Sequence, residues 1–234
     1  MSQSIIPKIS RLSARTSALF LCDMQEKFRT SIQYFNEVVF NSSRLLLASR
    51  IFEMPVVCTE QYPKGLGRTV PELGIQEHGI VPVQKTRFSM CVPEVLENLK
   101  SKHSEVNTVV LCGIETHACI HETAMDLLEK GFGVHVVVDA CSSRSLLDRQ
   151  VYILSNIFVA IQENITITLV LENQVKKWNQ MPIPILNRLS RAGASLNTCE
   201  GVILSLAKDS RHPKFREIQK IIWDVSPDTG LTNL

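Results

Sequence analysis

Apolar residues fall along this chain in short unbroken runs, separated by stretches with helical spacing. Residues 18–22 (ALFLC) form such a run and end at Asp23, and residues 34–52 carry a helical pattern with Val38, Val39, Leu45, Leu46 and Ile51 on the inner side. Further strands are expected at 55–59 (PVVCT), 80–84 (IVPVQ, leading into Lys85), 108–112 (TVVLC) and 133–139 (GVHVVVD), with a sixth at 194–198. Residues 69–79 read as loop, and helices are expected at 92–99, 117–130 and 202–208. Runs that are continuous rather than alternating mean burial on both faces, as in a parallel sheet covered by helices. The β–α alternation therefore predicts a three-layer α/β fold with a mainly parallel sheet of about six strands. In such folds the active site lies beyond the C-terminal ends of the strands. Asp23, Lys85 and the segment 113–119 all fall there.

Length and composition narrow the class. A chain of 234 residues suits one domain, here 17–234 after a flexible tail at 1–16. With 44% hydrophobic and 21% charged residues the chain has the composition of a globular protein. A net charge of +2, without a basic block, argues against a nucleic-acid partner. The seven cysteines are odd in number and include no CxxC pair, which points to a reducing compartment rather than a disulfide framework. The first residues lack the apolar core of a secretory signal. Lys8, Arg11 and Arg15 among serines, with no acid, weakly resemble a mitochondrial presequence. The location expected is cytoplasmic, with mitochondrial as the alternative.

Three residues carry the candidate chemistry. Cys119 sits in GIETHACI, where a strand becomes a helix. The positive end of a helix dipole stabilises a thiolate there, and free backbone amides can hold an oxyanion. A structural cysteine in the first helical turn is the plain alternative. Asp23 follows a strongly apolar strand, where a carboxylate is costly without a task or partner; as a helix cap it would be unremarked. Lys85 alone reads as a surface lysine at a strand end. Taken together, an acid, a lysine and a cysteine at three strand ends fit one mechanism, in which Asp23 takes the thiol proton, Lys85 holds charge and Cys119 attacks a carbonyl. Phe28, Tyr62, Phe88 and His117 flank these segments and are candidate pocket walls, with core packing as the alternative. His117 and His121 have metal-ligand spacing but no third ligand, and His121 reads as a helix-surface residue.

The motifs LFLCDMQEKF, TEQYPKGLG, KTRFSM, VVLCGIETHACI and VVVDACSSRS resemble those of the isochorismatase-like hydrolases, over roughly residues 15–150 and 186–234. The resemblance implies a Rossmann-like α/β/α sandwich and a catalytic triad of Asp23, Lys85 and Cys119. It also implies a cis peptide at Ile114–Glu115, an oxyanion hole from the amides of Glu115 and Cys119, and a homo-oligomer, dimer or tetramer. The nicotinamidase branch carries an Asp-x-His metal motif after the second strand, and CTEQYPKGLG has neither residue. The expectation is thus a hydrolase with no metal and no cofactor. It would act on an amide or related carbonyl of a small molecule through a thioester. A catalytically inactive binding or scaffold protein and a redox-sensing thiol protein remain the alternatives.

Residues 151–185 depart from the family pattern as an insert of about thirty residues, apolar at first and closed by Pro182 and Pro184. Polar residues Asn156, Gln162, Glu163 and Asn164 interrupt it, against a membrane span. It reads as an arm on a partner subunit, as a surface excursion, or as translated noncoding sequence, with the reading leaning to the last.

Overall fold

The computed structural model describes residues 11–149 and 193–231; the insert at 151–185 lies outside them. A six-stranded sheet forms the centre. Its strands are β1 (Ser17–Cys22), β2 (Val56–Gln61), β3 (Val83–Lys85), β4 (Thr108–Ile114), β5 (Gly133–Ser142) and β6 (Ser195–Asn197). They lie in the order β3-β2-β1-β4-β5-β6, and every pairing is parallel. Every residue of β1 and β4, the central strands, is buried, as their unbroken apolar sequences require. The edge strands are short and only partly covered.

The described helices are α1 (Phe35–Ile51), the single turn α2 (Pro63–Leu66), α3 (Pro93–Lys102), α4 (His121–Glu129), α5 (Cys199–Ala207) and α6 (Phe215–Ile221). α1 packs on β1, β4 and β5 and touches α5 and α6, which makes one layer. α3 and α4 connect parallel strands in the opposite sense along the sheet. A right-handed crossover places them on the other face, completing the α/β/α sandwich. α1 buries Val38, Val39, Leu45 and Leu46 as the spacing predicts, while Ile51, at its end, is half-buried.

Several expected elements differ: β5 runs on to Ser142, α5 begins at Cys199, and the expected loop 69–79 holds short 3-10 turns at Pro71–Leu73 and Gln76–His78. The third strand begins at Val83, not at residue 80, and ends on Lys85. Pro82 cannot donate to the ladder, and Val81 before it is 84% exposed. The helix expected from residue 117 starts instead with a π-helical segment, Thr116–Ile120, before α4. The helix α6 has no counterpart in the sequence reading. Leu12, ahead of β1, is buried in the core.

Strand order reverses between β1 and β4, the neighbours at the centre of the sheet. Such a switch opens a crevice at the strands' C-terminal ends. Asp23 follows β1, and the π-helical turn follows β4, so both project into that crevice region.

Candidate active site

Asp23 leaves β1 with φ of 54°, a left-handed conformation that few non-glycine residues adopt. Its amide still bonds the Thr59 carbonyl on β2 at 3.2 Å. The turn places a fully buried carboxylate at the sheet end. Each carboxylate oxygen has its own partners. Thr59 Oγ1 donates to Oδ1 at 2.8 Å. Lys85 Nζ donates to Oδ2 at 2.6 Å, and the Cys22 thiol approaches the same oxygen at 3.4 Å.

Lys85 is not a surface lysine. Its side chain, like that of Asp23, is 0% exposed. Besides Asp23, its ammonium faces Gln61 Oε1 at 2.8 Å, the Phe88 carbonyl at 2.9 Å and the Arg87 carbonyl at 3.2 Å. The chain turn after β3 thus wraps carbonyl oxygens around the charge. Burial by itself favours the neutral amine, but the negative character of Cys22, Asp23 and Cys119 outweighs it, and the Lys85 pKa is raised.

Cys119 lies in the π-helical segment, 6% exposed. Its Sγ, the Cys22 Sγ and a carboxylate oxygen of Asp23 all lie within 4.8 Å of one another. The peptide Ile114–Glu115, at the start of this turn, is cis. The Glu115 carbonyl accepts from the amides of Ala118 (3.2 Å) and Ile120 (3.1 Å), and the Thr116 amide donates to Ser143 Oγ at 3.1 Å. Gly113, one residue before Ile114, pairs with Cys22 across the sheet. A Cβ there would overlap the Cys22 carbonyl oxygen and lie 2.8 Å from the Cys22 nitrogen, and φ is +129°. Glycine is what lets β4 run close enough to β1 to bring the turn over Asp23.

The three residues expected to act together are therefore brought together. The candidate pocket walls are more scattered. Tyr62 and Phe88 are 55% and 59% exposed, and Phe28 is half-buried against the core. Tyr62 and Lys85 border an open cleft of about 420 Å³ with Thr86, Arg87 and Val92; Asp23 and Cys119 are not part of its lining. His117 Nδ1 lies 3.0 Å from Ser143 Oγ. His121 is buried, not on the helix surface: it lies one turn before the buried Ala124, on the inward side of α4.

Cys22, Thr59, Gln61, Gln25 and Ser143 were not singled out in the sequence. Gln25 is fully buried and acts like a strand. It accepts from the Gln61 amide at 2.7 Å and donates to the carbonyls of Gln61 (3.0 Å) and Gly67 (2.7 Å). Its signal was a polar residue three places past a buried strand and two past the acid. Cys22 gave none, since a thiol closing an apolar run reads as a small hydrophobe. Burial first, then its hydrogen bond with Cys119 and the charge of Asp23, push the Cys22 thiol well above the usual range.

Cys22, Asp23 and Cys119 are, among the described residues, the one group whose donor atoms could hold a metal ion. The Lys85 ammonium, 2.6 Å from the same carboxylate, occupies the electrostatic place of a cation.

Comparison with known proteins agrees with this architecture. Isochorismatase domain-containing protein 2 of Xenopus laevis is 48% identical over 231 residues, covering 99% of this chain and 95% of the relative. The Homo sapiens protein of that name is 45% identical, covering 97% and 93%. Among solved structures, the MAR1 ribonuclease of Caenorhabditis elegans superposes with a TM-score of 0.73 at 43% identity, over 95% of this chain and 97% of that one. The isochorismatase domain profile matches residues 17–168, a span that holds Asp23, Lys85 and Cys119, and the chain belongs to the isochorismatase-domain family.

Proposed function

We propose that the protein is a cysteine hydrolase that cleaves an amide or related carbonyl of a small molecule without a metal. Asp23 accepts the proton of the Cys119 thiol. Cys119 Sγ attacks the carbonyl carbon, and the amides of Glu115 and Cys119 hold the oxyanion. These two amides are the ones that the family resemblance implies for this turn. The tetrahedral intermediate expels the amine, which takes the proton from Asp23. Water then hydrolyses the thioester. Lys85 holds the Asp23 carboxylate in place through a 2.6 Å ion pair. It is held in place by three oxygens besides the carboxylate, so it acts through Asp23.

The observation that carries this reading is the Asp23–Lys85 ion pair, 2.6 Å long with both side chains fully buried, beside a thiol within 4.8 Å of the carboxylate. A buried charged pair is an unfavourable way to gain stability, and its siting at strand ends beside a thiol argues for chemistry. The near-complete burial of Asp23, Lys85 and Cys119 favours a small substrate, and no helix among the described residues is long and apolar enough to cross a membrane. A homo-oligomer, dimer or tetramer, is proposed with it. The test is a screen of amides, esters and ureides with wild type and Cys119→Ala. Turnover of at least one class, lost in the variant, supports the reading; equal turnover in both defeats it.

A second reading comes from the Caenorhabditis elegans relative, which is described as a ribonuclease. Degradation of a labelled single-stranded RNA by wild type but not by Cys119→Ala would favour it over small-molecule hydrolysis.

A further inference from the structure

The site holds a second thiol that the proposed hydrolysis does not use. Cys22 Sγ lies within 4.8 Å of Cys119 Sγ, and its proton already points toward the Asp23 carboxylate at 3.4 Å. We propose that Cys22 is a resolving thiol, which captures an oxidised Cys119 in a reversible disulfide and so shuts the site under peroxide. This rests on the reading of Cys119 as the reactive thiol.

The chemistry balances with hydrogen peroxide as the oxidant. Cys119 sulfur attacks one peroxide oxygen and the O–O bond breaks. Cys119 becomes a sulfenic acid, and the peroxide's other oxygen leaves as water with the thiol proton, relayed by Asp23. Cys22 sulfur then attacks the Cys119 sulfur, and the S–O bond breaks. The hydroxyl leaves as a second water with the Cys22 proton, again relayed by Asp23. Two sulfurs are oxidised by one each, and one peroxide is reduced by two electrons.

The order of events follows from access. Cys119 is 6% exposed, whereas Cys22 is 0% exposed, so peroxide meets Cys119 first. The same burial, with Asp23 beside it, holds Cys22 as a thiol until a sulfenic acid is presented. Forming a bond of about 2.05 Å requires the sulfurs to approach by under about 3 Å, within the swing of a cysteine rotamer. The remaining thiols do not compete. Burial pushes Cys58, Cys141 and Cys199 up to about 12 and Cys91 to about 11, and drives Cys112 upward as well.

The experiment treats the full chain with hydrogen peroxide, removes the peroxide and reads intact mass, and then blocks free thiols with an alkylating reagent and reads linked peptides. Wild type is expected to lose about 2 Da, with residues 22 and 119 in one linked peptide, and to recover its mass with a dithiol reductant. Cys22→Ser is expected to show no link. Its Cys119 gains two oxygens and does not recover with the reductant. Cys22→Ala, checked for native circular dichroism, guards against a folding defect of the serine variant. The inference is overturned if wild type forms no 22–119 link while Cys119 accumulates two oxygens, or if the link joins Cys119 to another cysteine. Mass is read independently of turnover. A missing link alongside activity that depends on Cys119 removes only this inference, and a link alongside Cys119-independent turnover removes only the hydrolase reading.

Discussion

Lys85→Met is expected to remove a substantial part of the protein's stability, and part of that loss should return when Asp23 is also neutralised. The side chains of Asp23 and Lys85 are 0% exposed and 2.6 Å apart. Met has a similar volume, so the cavity term is small and the loss is electrostatic. It leaves a carboxylate with only the Thr59 hydroxyl and the Cys22 thiol, and three further oxygens without the ammonium that served them. Breaking a buried pair by removing one partner costs about 3–5 kcal/mol. A ceiling exists, because a buried carboxylate without a partner takes up a proton instead. For an ordinary carboxyl at pH 7 that uptake costs about 4 kcal/mol and falls by about 1.4 kcal/mol for each pH unit below. Domains are stable by only about 5–15 kcal/mol. Asp23→Asn keeps an oxygen acceptor for Lys85 and should cost about 1–3 kcal/mol. The double variant leaves no bare charge, so it should be more stable than Lys85→Met alone, with a coupling of about 2 kcal/mol. Urea unfolding followed by far-ultraviolet circular dichroism at pH 7, with an unchanged dependence on denaturant, reads these differences. Costs that add to within about 0.5 kcal/mol would show that the two residues do not act as a pair and would refute the argument.

Other expectations follow from single features. Gly113→Ala should lower the melting temperature sharply, with a loss on the order of 3 kcal/mol or more, because the new Cβ meets the backbone of Cys22; an unchanged melting temperature would show that β4 yields at no cost. Burial, only partly offset by the Cys199 amide and the nearby Arg44 and Arg149, raises the Asp139 pKa. The ionised carboxylate is therefore a burden on the fold above its unfolded pKa, and the burden lifts as pH falls through the higher folded pKa. Asp139→Asn keeps an acceptor for the Cys199 amide, now 2.7 Å away. It should match or exceed wild-type stability at pH 7 and lose that advantage toward about pH 4; an advantage that grows with acid would reverse the sign. Exhaustive chelation should leave turnover unchanged, because Lys85 fills the cation position beside Asp23. Activity lost on chelation and restored by zinc would count against the metal-independent mechanism.

The sequence by itself determined the layer architecture and the positions of the strong strands. Unbroken apolar runs such as 18–22 and 108–112 cannot be exposed on either face, so they had to be central parallel strands, and residues that end them had to sit at the sheet's C-terminal edge. That placed Asp23, Lys85 and Cys119 near one another before any contact was known. Tertiary structure decided what periodicity does not encode. β3 is cut short by Pro82, and its Lys85, an unremarkable strand-end lysine in sequence, is wholly enclosed because the following turn folds its carbonyls around the ammonium. His121 is buried on the inward side of α4, and the chain enters that helix through a π-helical turn, a register change that hydrophobic spacing does not signal. The C-terminal segment is held by two buried arginines far away in sequence. Arg44 bonds the carbonyls of Ile221 and Asp224 and the Ser226 hydroxyl, and Arg149 bonds the Thr229 carbonyl. Cys22 is the plainest case. Its burial was evident from the apolar run it closes, but its nearness to Cys119 depends on the register of β1 against β4 and on a glycine that lets their backbones approach, and long-range register is set by packing rather than by local sequence.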